Sequence, residues 1–264
     1  MIRFIDDKSR ETDYQTACSF DDVFGTINSF LFENHSNYGS SFFWNLYDDN
    51  DQLAGNLSFV NDTFTICAKD DSCSEELAQF INFWDNFSCI SYNKCNVISL
   101  DNILSSACTS AFGEILTKTT DDCSHSNSND ICKDINLYSV FCLFKESFPE
   151  KFDRMSFESF NYDMNYRIRK EQSFIYGILK DDVLTSALEV MCSLQNNVVL
   201  GCLATNKKYR GYGFATSLLN NLSNDFPNST TYVFSENDSV TQFYKKIGFK
   251  DHAVWAQLTP ARKD

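Results

Sequence analysis

The same order of elements occurs twice in this chain, and that repetition limits the folds open to it. The two copies flank a polar seam, Thr119–Asp130 (TTDDCSHSNSND), which holds almost no apolar residues and reads as a loop or linker. Before the seam, strands are expected at Met1–Ile5, Ser41–Tyr47, Leu53–Val60 and Thr63–Ala68, with turns at DDND and Asn61-Asp62. A helix is expected over Phe20–Glu33. A second spans Glu75–Asn86, where Leu77, Phe80, Ile81 and Trp84 recur at helical spacing. Ser72 followed by Glu75 fits a capping box at its start. A strand at Cys89–Tyr92, a helix after Asn96 and a strand at Ala111–Lys118 complete the half. After the seam, helices are expected at Ile135–Ser147 (a strand being the alternative) and Phe157–Lys170. Strands follow at Ser173–Leu179, Val183–Met191 and Val198–Thr205, with turns at Asp181-Asp182 and Gln195-Asn196. Then come a helix at Phe214–Asn224, a strand at Thr231–Ser235, a helix at Ser239–Ile247 and a strand at Ala253–Leu258. Each half thus reads as three consecutive strands, then helix, strand, helix, strand. The expected domains are 1–118, a linker at 119–130, and 131–264.

Two such halves fit 264 residues of which 43% are hydrophobic, with 25 Phe to fill the cores. No apolar run approaches the ~20 residues of a membrane span. The opening MIRFIDDKSRETD places charges where a secretory leader needs an apolar stretch, so a cytoplasmic protein is expected. Eleven cysteines, odd in number and never in a CxxC pair, read as reduced thiols. The net charge of −14 lies entirely in the first 170 residues, which hold 13 basic and 27 acidic groups. Nucleic acid, which requires a basic face, is a poor partner, and a cationic one is mildly favoured. His35, His125 and His252 show no metal-ligand spacing, so no metal is expected.

The most informative segment is LGCLATNKKYRGYGFATSLLNNL, Leu200–Leu222. An apolar strand runs through a short basic loop into Arg210-Gly211-Tyr212-Gly213-Phe214-Ala215 and then an amphipathic helix. Two glycines let the backbone approach a ligand and adopt torsions closed to other residues. The first amides of a helix lack intrahelical partners and carry the positive end of its dipole. That combination cradles a pyrophosphate, with Lys207, Lys208 and Arg210 adding charge. It is neither a phosphate-binding loop ending in Gly-Lys-Ser/Thr nor a GxGxxG dinucleotide fingerprint. The same junction in the first half, Lys69–Glu76, has no glycine and carries Asp70, Asp71, Glu75 and Glu76, so no cofactor is expected there.

One strand further on stands NDSVTQFYKKIGF, Asn237–Phe249. With it the chain resembles the GNAT superfamily of acetyl-CoA-dependent N-acetyltransferases over about residues 155–258. Arg210 to Ala215 fits that family's [Q/R]-x-x-G-x-[G/A] signature. Asn237, Tyr244 and Gly248-Phe249 fit its second one. The resemblance implies an α/β (α+β) fold: a mixed, splayed central sheet flanked by helices, duplicated here as a tandem whose N-terminal copy is degenerate and helps shape the substrate cleft. It implies acetyl-CoA as cosubstrate and a small-molecule or peptide amine as acceptor. The backbone of Leu203, Ala204 and Thr205 would hold the pantetheine arm and thioester carbonyl. Amides of Gly211, Tyr212, Gly213, Phe214, Ala215 and Thr216 would hold the pyrophosphate, and Asn237 would touch the cofactor arm. Tyr244 would protonate the departing thiolate. The family often has Val at the position of Thr205 and Pro at that of Lys207.

Physical chemistry supports those roles. A backbone N–H stabilises negative charge developing on a carbonyl oxygen, and a tyrosine of ordinary pKa matches a thiolate in basicity. Tyr244 also falls on the core stripe Val240, Phe243, Tyr244 and Ile247 of its helix. No base is evident: Glu189, Glu236 and a water chain remain open. The alternative to an enzyme is a non-catalytic module that binds an acyl-CoA or a partner.

Overall fold

The computed structural model describes residues 1–37, 39–84, 86–120, 131–153 and 155–261. Residues 121–130 of the seam, with Cys123 and His125, lie outside the described residues. The chain divides into two compact units, neither contiguous in sequence: Met1–Leu116 with Phe234–Phe243 and Asp251–Asp264, and Thr117–Val233 with Tyr244–Lys250. A linear boundary at 119–130 assigns the last strand to the second half. By its contacts that strand instead belongs to the first.

In the first unit the strands β1 (Ile2–Phe4), β2 (Phe42–Tyr47), β3 (Leu53–Val60), β4 (Thr63–Ala68) and β5 (Cys89–Asn93) lie side by side in that order. Next come β12 (Lys250–Pro260) and then β6 (Cys108–Thr119). β12 runs antiparallel to β5, with Ala256 opposite Tyr92 and Leu258 opposite Ile90. Asn61 and Asp62 both take positive φ, +50° and +59°, which makes the two-residue β3–β4 turn match the strand twist. β4 and β5 are parallel, paired over Thr63–Ile66 and Cys89–Tyr92. One face packs on α3 (Ser74–Asn82) and α4 (Leu100–Ile103) through Leu46, Leu57, Phe64, Ile66, Leu77, Ile81 and Ile90. Trp84, just past the end of α3, sits among the rings of Phe42, Trp44, Phe59 and Phe64 at centroid distances of 4.6–5.8 Å. The other face is covered by α1 (Lys8–Ala17) and α2 (Phe24–His35). There Tyr14, Phe43 and Val60 form a small core.

Three expectations for this unit change. α1, polar by composition, was not visible in the sequence; Asp7 caps it, accepting from Arg10 N at 2.9 Å. The Ser72/Glu75 capping box does not form, because the helix starts at Ser74 with Cys73 in the cap position and no side-chain cap. That helix also stops at Asn82 rather than Asn86, freeing Trp84 to turn into the aromatic cluster.

The second unit orders its strands β11 (Thr230–Ser235), β10 (Asn197–Thr205), β9 (Val183–Leu194), β8 (Phe174–Lys180) and β7 (Ile131–Cys132). Asp181 and Asp182, at φ +51° and +62°, make the β8–β9 turn. Helices α5 (Leu137–Ser147), α6 (Pro149–Phe152) and α7 (Phe157–Arg169) cover one face through Val140, Phe144, Phe152, Phe160 and Met164, packed on Ile175, Ala187 and Ala204. The 135–147 segment is therefore a helix, capped by Asn136, not the alternative strand. Helix α8 (Phe214–Asp225) buries Leu218, Leu219 and Leu222. Helix α9 (Asp238–Lys246) precedes β12.

Candidate functional site

β10 is paired on one side along most of its length: Leu203, Ala204 and Thr205 lie opposite Leu188, Ala187 and Ser186 of β9. On its other side, pairing with parallel β11 covers only Asn197–Val199 against Thr230–Tyr232. The strands part beyond Val199. A splay of this kind leaves the edge of β10 from Leu200 onward without a ladder partner in β11, and backbone donors and acceptors there need another partner or solvent.

The register of β10 against β9 breaks between Leu200 and Leu203, so Gly201 and Cys202 together oppose Glu189. This bulge has a visible cause. A Cβ on Gly201 would stand 2.6 Å from Glu189 Oε2, so glycine here leaves that carboxylate where it is, while a larger residue would push it aside. Glu189 is buried, and Arg167 of α7 reaches it at 3.4 Å while holding Asp163 at 2.7 Å. Of the two candidate bases, Glu189 is thus engaged by a cation that the sequence gave no reason to pair with it. Glu236 is exposed and belongs to the other unit.

Past Thr205 the chain makes a 3₁₀ turn, Lys207–Tyr209, capped by Asn206 Oδ1 accepting from Lys208 N at 3.1 Å. Arg210 folds back, and its Nε donates to Thr205 O at 3.2 Å, which ties the two ends of the loop together. Gly211 and Gly213 both sit at positive φ, +84° and +81°, where an L side chain is strained, and a Cβ on either would meet nothing within 4 Å. Gly213 is the N-cap of α8 and has no side chain to satisfy the helix amides. The first intrahelical bond is Ser217 N to Gly213 O at 2.9 Å, so the amides of Phe214, Ala215 and Thr216 have no acceptor within the helix. No acidic residue stands in its first turn. These amides, the dipole behind them and the open space in front fit an anion such as a pyrophosphate.

Tyr244 is nearly fully buried, and its ring meets Phe249 edge-on at 5.2 Å. Its carbonyl accepts from Phe249 N at 3.1 Å, and Lys245 O accepts from Gly248 N at 3.1 Å, with Gly248 at φ +95°. This is a Schellman cap, and the Tyr244–Phe249 contact is the apolar pair that accompanies it. The Gly-Phe of the second signature therefore ends α9 and fixes the Tyr244 ring. Burial pushes the Tyr244 hydroxyl well above the ordinary tyrosine pKa, and the Cys202 thiol adds to the rise. Asn237 falls in the other unit, where its Oδ1 accepts from Val240 N at 3.1 Å and Ser239 Oγ at 2.7 Å, capping α9.

The corresponding junction of the first unit is built differently. Asp71 accepts from Ser74 Oγ at 2.6 Å, Ser99 N at 3.0 Å and Ser99 Oγ at 2.6 Å. Burial opposes its charge, but the hydrogen bonds from Ser74 and Ser99 prevail and hold it below the usual carboxylate range. Beyond the paired stretch of β4, Asn96 Nδ2 donates to Ala68 O at 2.8 Å, and Asp21 accepts from Asn93 at 2.7 Å. Asn96, Asp21 and Ser99 were not singled out from the sequence; polar residues at separations of 28 to 75 carry no local periodicity. Among the described residues no group of three His, Cys, Asp or Glu is placed to hold a metal ion. Nor is any helix there long and apolar enough to cross a membrane.

Residues 145–255 match the family model of the acetyltransferase (GNAT) domain, a span that contains both the Arg210–Ala215 turn and Asn237–Phe249. Over this span the chain resembles the GNAT superfamily. Solved structures agree over nearly the whole chain. A tandem GNAT protein from the clavulanic acid biosynthesis pathway, 9% identical, superposes with a TM-score of 0.67 over 100% of this chain and 99% of its own. A GCN5-related N-acetyltransferase from Sphaerobacter thermophilus, 11% identical, gives 0.64 over 98% and 95%. A GNAT-family acetyltransferase from Colwellia psychrerythraea, 14% identical, gives 0.60 over 99% and 100%. At these identities the likeness is one of fold: a mixed α/β tandem with splayed sheets flanked by helices. No curated protein sequence matches the chain.

Proposed function

We propose that the second unit is an acetyl-CoA-dependent N-acyltransferase acting on a primary amine, and that the first unit holds no cofactor. The observation that carries this reading is the uncapped start of α8, opened by two positive-φ glycines at the end of a splayed strand. Amides from Gly211 to Thr216 would bind the pyrophosphate, and the free edge of Leu203–Thr205 would align the pantetheine arm. Bound acetyl-CoA would supply an activated acyl thioester. The acceptor nitrogen would form the new C–N bond as the C–S bond breaks and give up its surplus proton to water, while a backbone N–H of β10 would hold the carbonyl oxygen during its negative stage. Tyr244 holds its proton at neutral pH, as any tyrosine does, and would yield it to the sulfur as the thiolate leaves. Burial, by disfavouring the phenolate, makes it a weaker donor than the ordinary tyrosine matched to a thiolate above. The acidic excess of the chain, net −14, favours a cationic acceptor.

One observation favours the second reading, a binding module without turnover. Glu189, the buried carboxylate nearest β10's bulge, is already paired with Arg167. Thiol release from acetyl-CoA with a panel of amines separates the two. The enzyme reading expects release that depends on the amine; tight CoA binding with no release for any amine leaves the module. In the same assay Tyr244→Phe keeps the packing on Phe249 and removes only the hydroxyl. We expect kcat to fall by about 10²-fold or more with CoA affinity unchanged. Turnover within about twofold of the parent would remove Tyr244 from the mechanism.

A further inference from the structure

Beside the glycine turn stands an aromatic cluster that the reading above leaves without a task. Tyr212, between the two glycines, is 67% exposed. Its ring stacks on Phe214 at 6.1 Å and 22°, and Tyr209 approaches Phe214 at 6.4 Å. The Lys180 ammonium, at the end of β8, lies 6.0 Å from the ring centroids of both Tyr209 and Tyr212. From Asn206 to Asn224 the sequence has no acidic residue and three basic ones, in a chain of net charge −14. The acids near these cations are Asp181 and Asp182 in the turn after Lys180, and Glu146, which reaches Lys207 at 3.8 Å across an exposed contact.

We propose that Tyr212, backed by Phe214, is a stacking shelf for the adenine of coenzyme A, and that Lys180 faces the 3′-phosphate. The inference rests on the cofactor reading above and adds to it a preference for the nucleotide end of the donor. The exposed area of the Tyr212 ring is too small for a protein partner and comparable to one nucleobase. Among the described residues Lys180 is held by tyrosine rings rather than by a carboxylate, so a phosphate would gain it without first breaking an ion pair. The Tyr212 ring leaves the turn at the point where the neighbouring amides would hold the pyrophosphate, which puts the base within one nucleotide of it.

The test is calorimetric titration of the full chain, and of Tyr212→Ala and Lys180→Gln, with coenzyme A, dephospho-coenzyme A and 4′-phosphopantetheine. Tyr212 is exposed, so its truncation should leave the fold intact. Tyr212→Ala should weaken both nucleotide ligands by about tenfold and leave 4′-phosphopantetheine unchanged. Lys180→Gln should weaken coenzyme A and spare dephospho-coenzyme A. The shelf is refuted if Tyr212→Ala binds coenzyme A like the parent, or if all three ligands weaken alike. Equal loss for both nucleotides in Lys180→Gln refutes the phosphate contact. A parent that binds none of the three overturns the cofactor reading and the shelf with it.

Discussion

Replacing Gly213 tests whether the space in front of α8 is a ligand site or merely a helix start. The substitution is unusual in that its internal steric cost is nil: a Cβ at this position meets no atom within 4 Å. What remains is the backbone, held at φ +81°. An L residue in that region costs roughly 1–2 kcal/mol, while asparagine tolerates it with less strain. Asparagine is also a favoured N-cap, and Gly213 occupies the N-cap of α8 without supplying any side-chain bond. At this left-handed position asparagine gains only a few tenths of a kcal/mol as a cap over glycine, but it incurs less strain than other residues, so Gly213→Asn should unfold within about 1 kcal/mol of the parent. Gly213→Val has the strain without the cap and should be less stable by roughly 1–2 kcal/mol.

For a ligand the two variants should look the same. Either side chain fills the volume that phosphate oxygens need in order to reach the amides of Phe214, Ala215 and Thr216. Losing two charge-assisted bonds, at about 1.5 kcal/mol or more each, amounts to about 3 kcal/mol, or roughly a hundredfold in Kd. Guanidinium unfolding gives the stability and calorimetry with coenzyme A gives the affinity. Gly213→Asn should keep the first and lose the second. If it binds coenzyme A within about twofold of the parent, the amides are not the pyrophosphate site, whatever the stability does.

Two further outcomes are expected. Arg167→Ala strands the buried Glu189 carboxylate and should cost about 3 kcal/mol in urea unfolding, with Arg167→Met, Glu189→Leu together recovering most of it; a loss below about 1 kcal/mol would mean the pair at 3.4 Å contributes little. In reductant, stability should fall steadily above about pH 9: burial pushes the Cys18 and Cys192 thiols up to about 12, so the unfolded chain ionises first and each thiol removes up to about 1.4 kcal/mol per pH unit between those limits. Denaturation midpoints that stay flat from pH 8 to 11 would contradict that burial.

The parts of the fold legible in the sequence are those fixed by local chemistry. Asn61-Asp62 and Asp181-Asp182 marked hairpins because their residues enter positive φ readily, and both hairpins form. The Arg210–Ala215 turn was legible only through its pairing with Asn237–Phe249, since two glycines at a strand-to-helix turn often serve packing alone. Helix α1 was not, since KSRETDYQTA buries only Tyr14 and Ala17, and two apolar positions make no stripe. The placement of β12 was not legible either. Alternation says that Lys250–Pro260 is a strand, but its partner β5 lies more than 150 residues away and is chosen by packing. Arg167 escaped notice for the same reason: its partner Glu189 is on another element, 22 residues on.

The two strand-to-helix junctions show how one topology supports opposite chemistry. Each unit has a parallel strand pair whose bonding stops short of the strand end: β4 with β5 over Thr63–Ile66 and Cys89–Tyr92, and β10 with β11 over only Asn197–Val199 and Thr230–Tyr232. Such a parting leaves backbone groups that must find partners. In the first unit they find them internally. The Asn96 amide takes the Ala68 carbonyl, and the Asp71 carboxylate takes the Ser99 amide. Asp71 is thus a built-in anion at the mouth of the slot, held ionised by Ser74 and Ser99, and a second anion would meet its charge instead of open amides. In the second unit the sequence withholds such side chains: two glycines, an uncapped helix and no acid in the first turn. The groups left open there are donors with a positive dipole behind them, and donors without partners are what an anionic cosubstrate can use. On the proposed function, the first unit satisfies its own junction with side chains, whereas the second leaves helix donors open that a bound anion would complete.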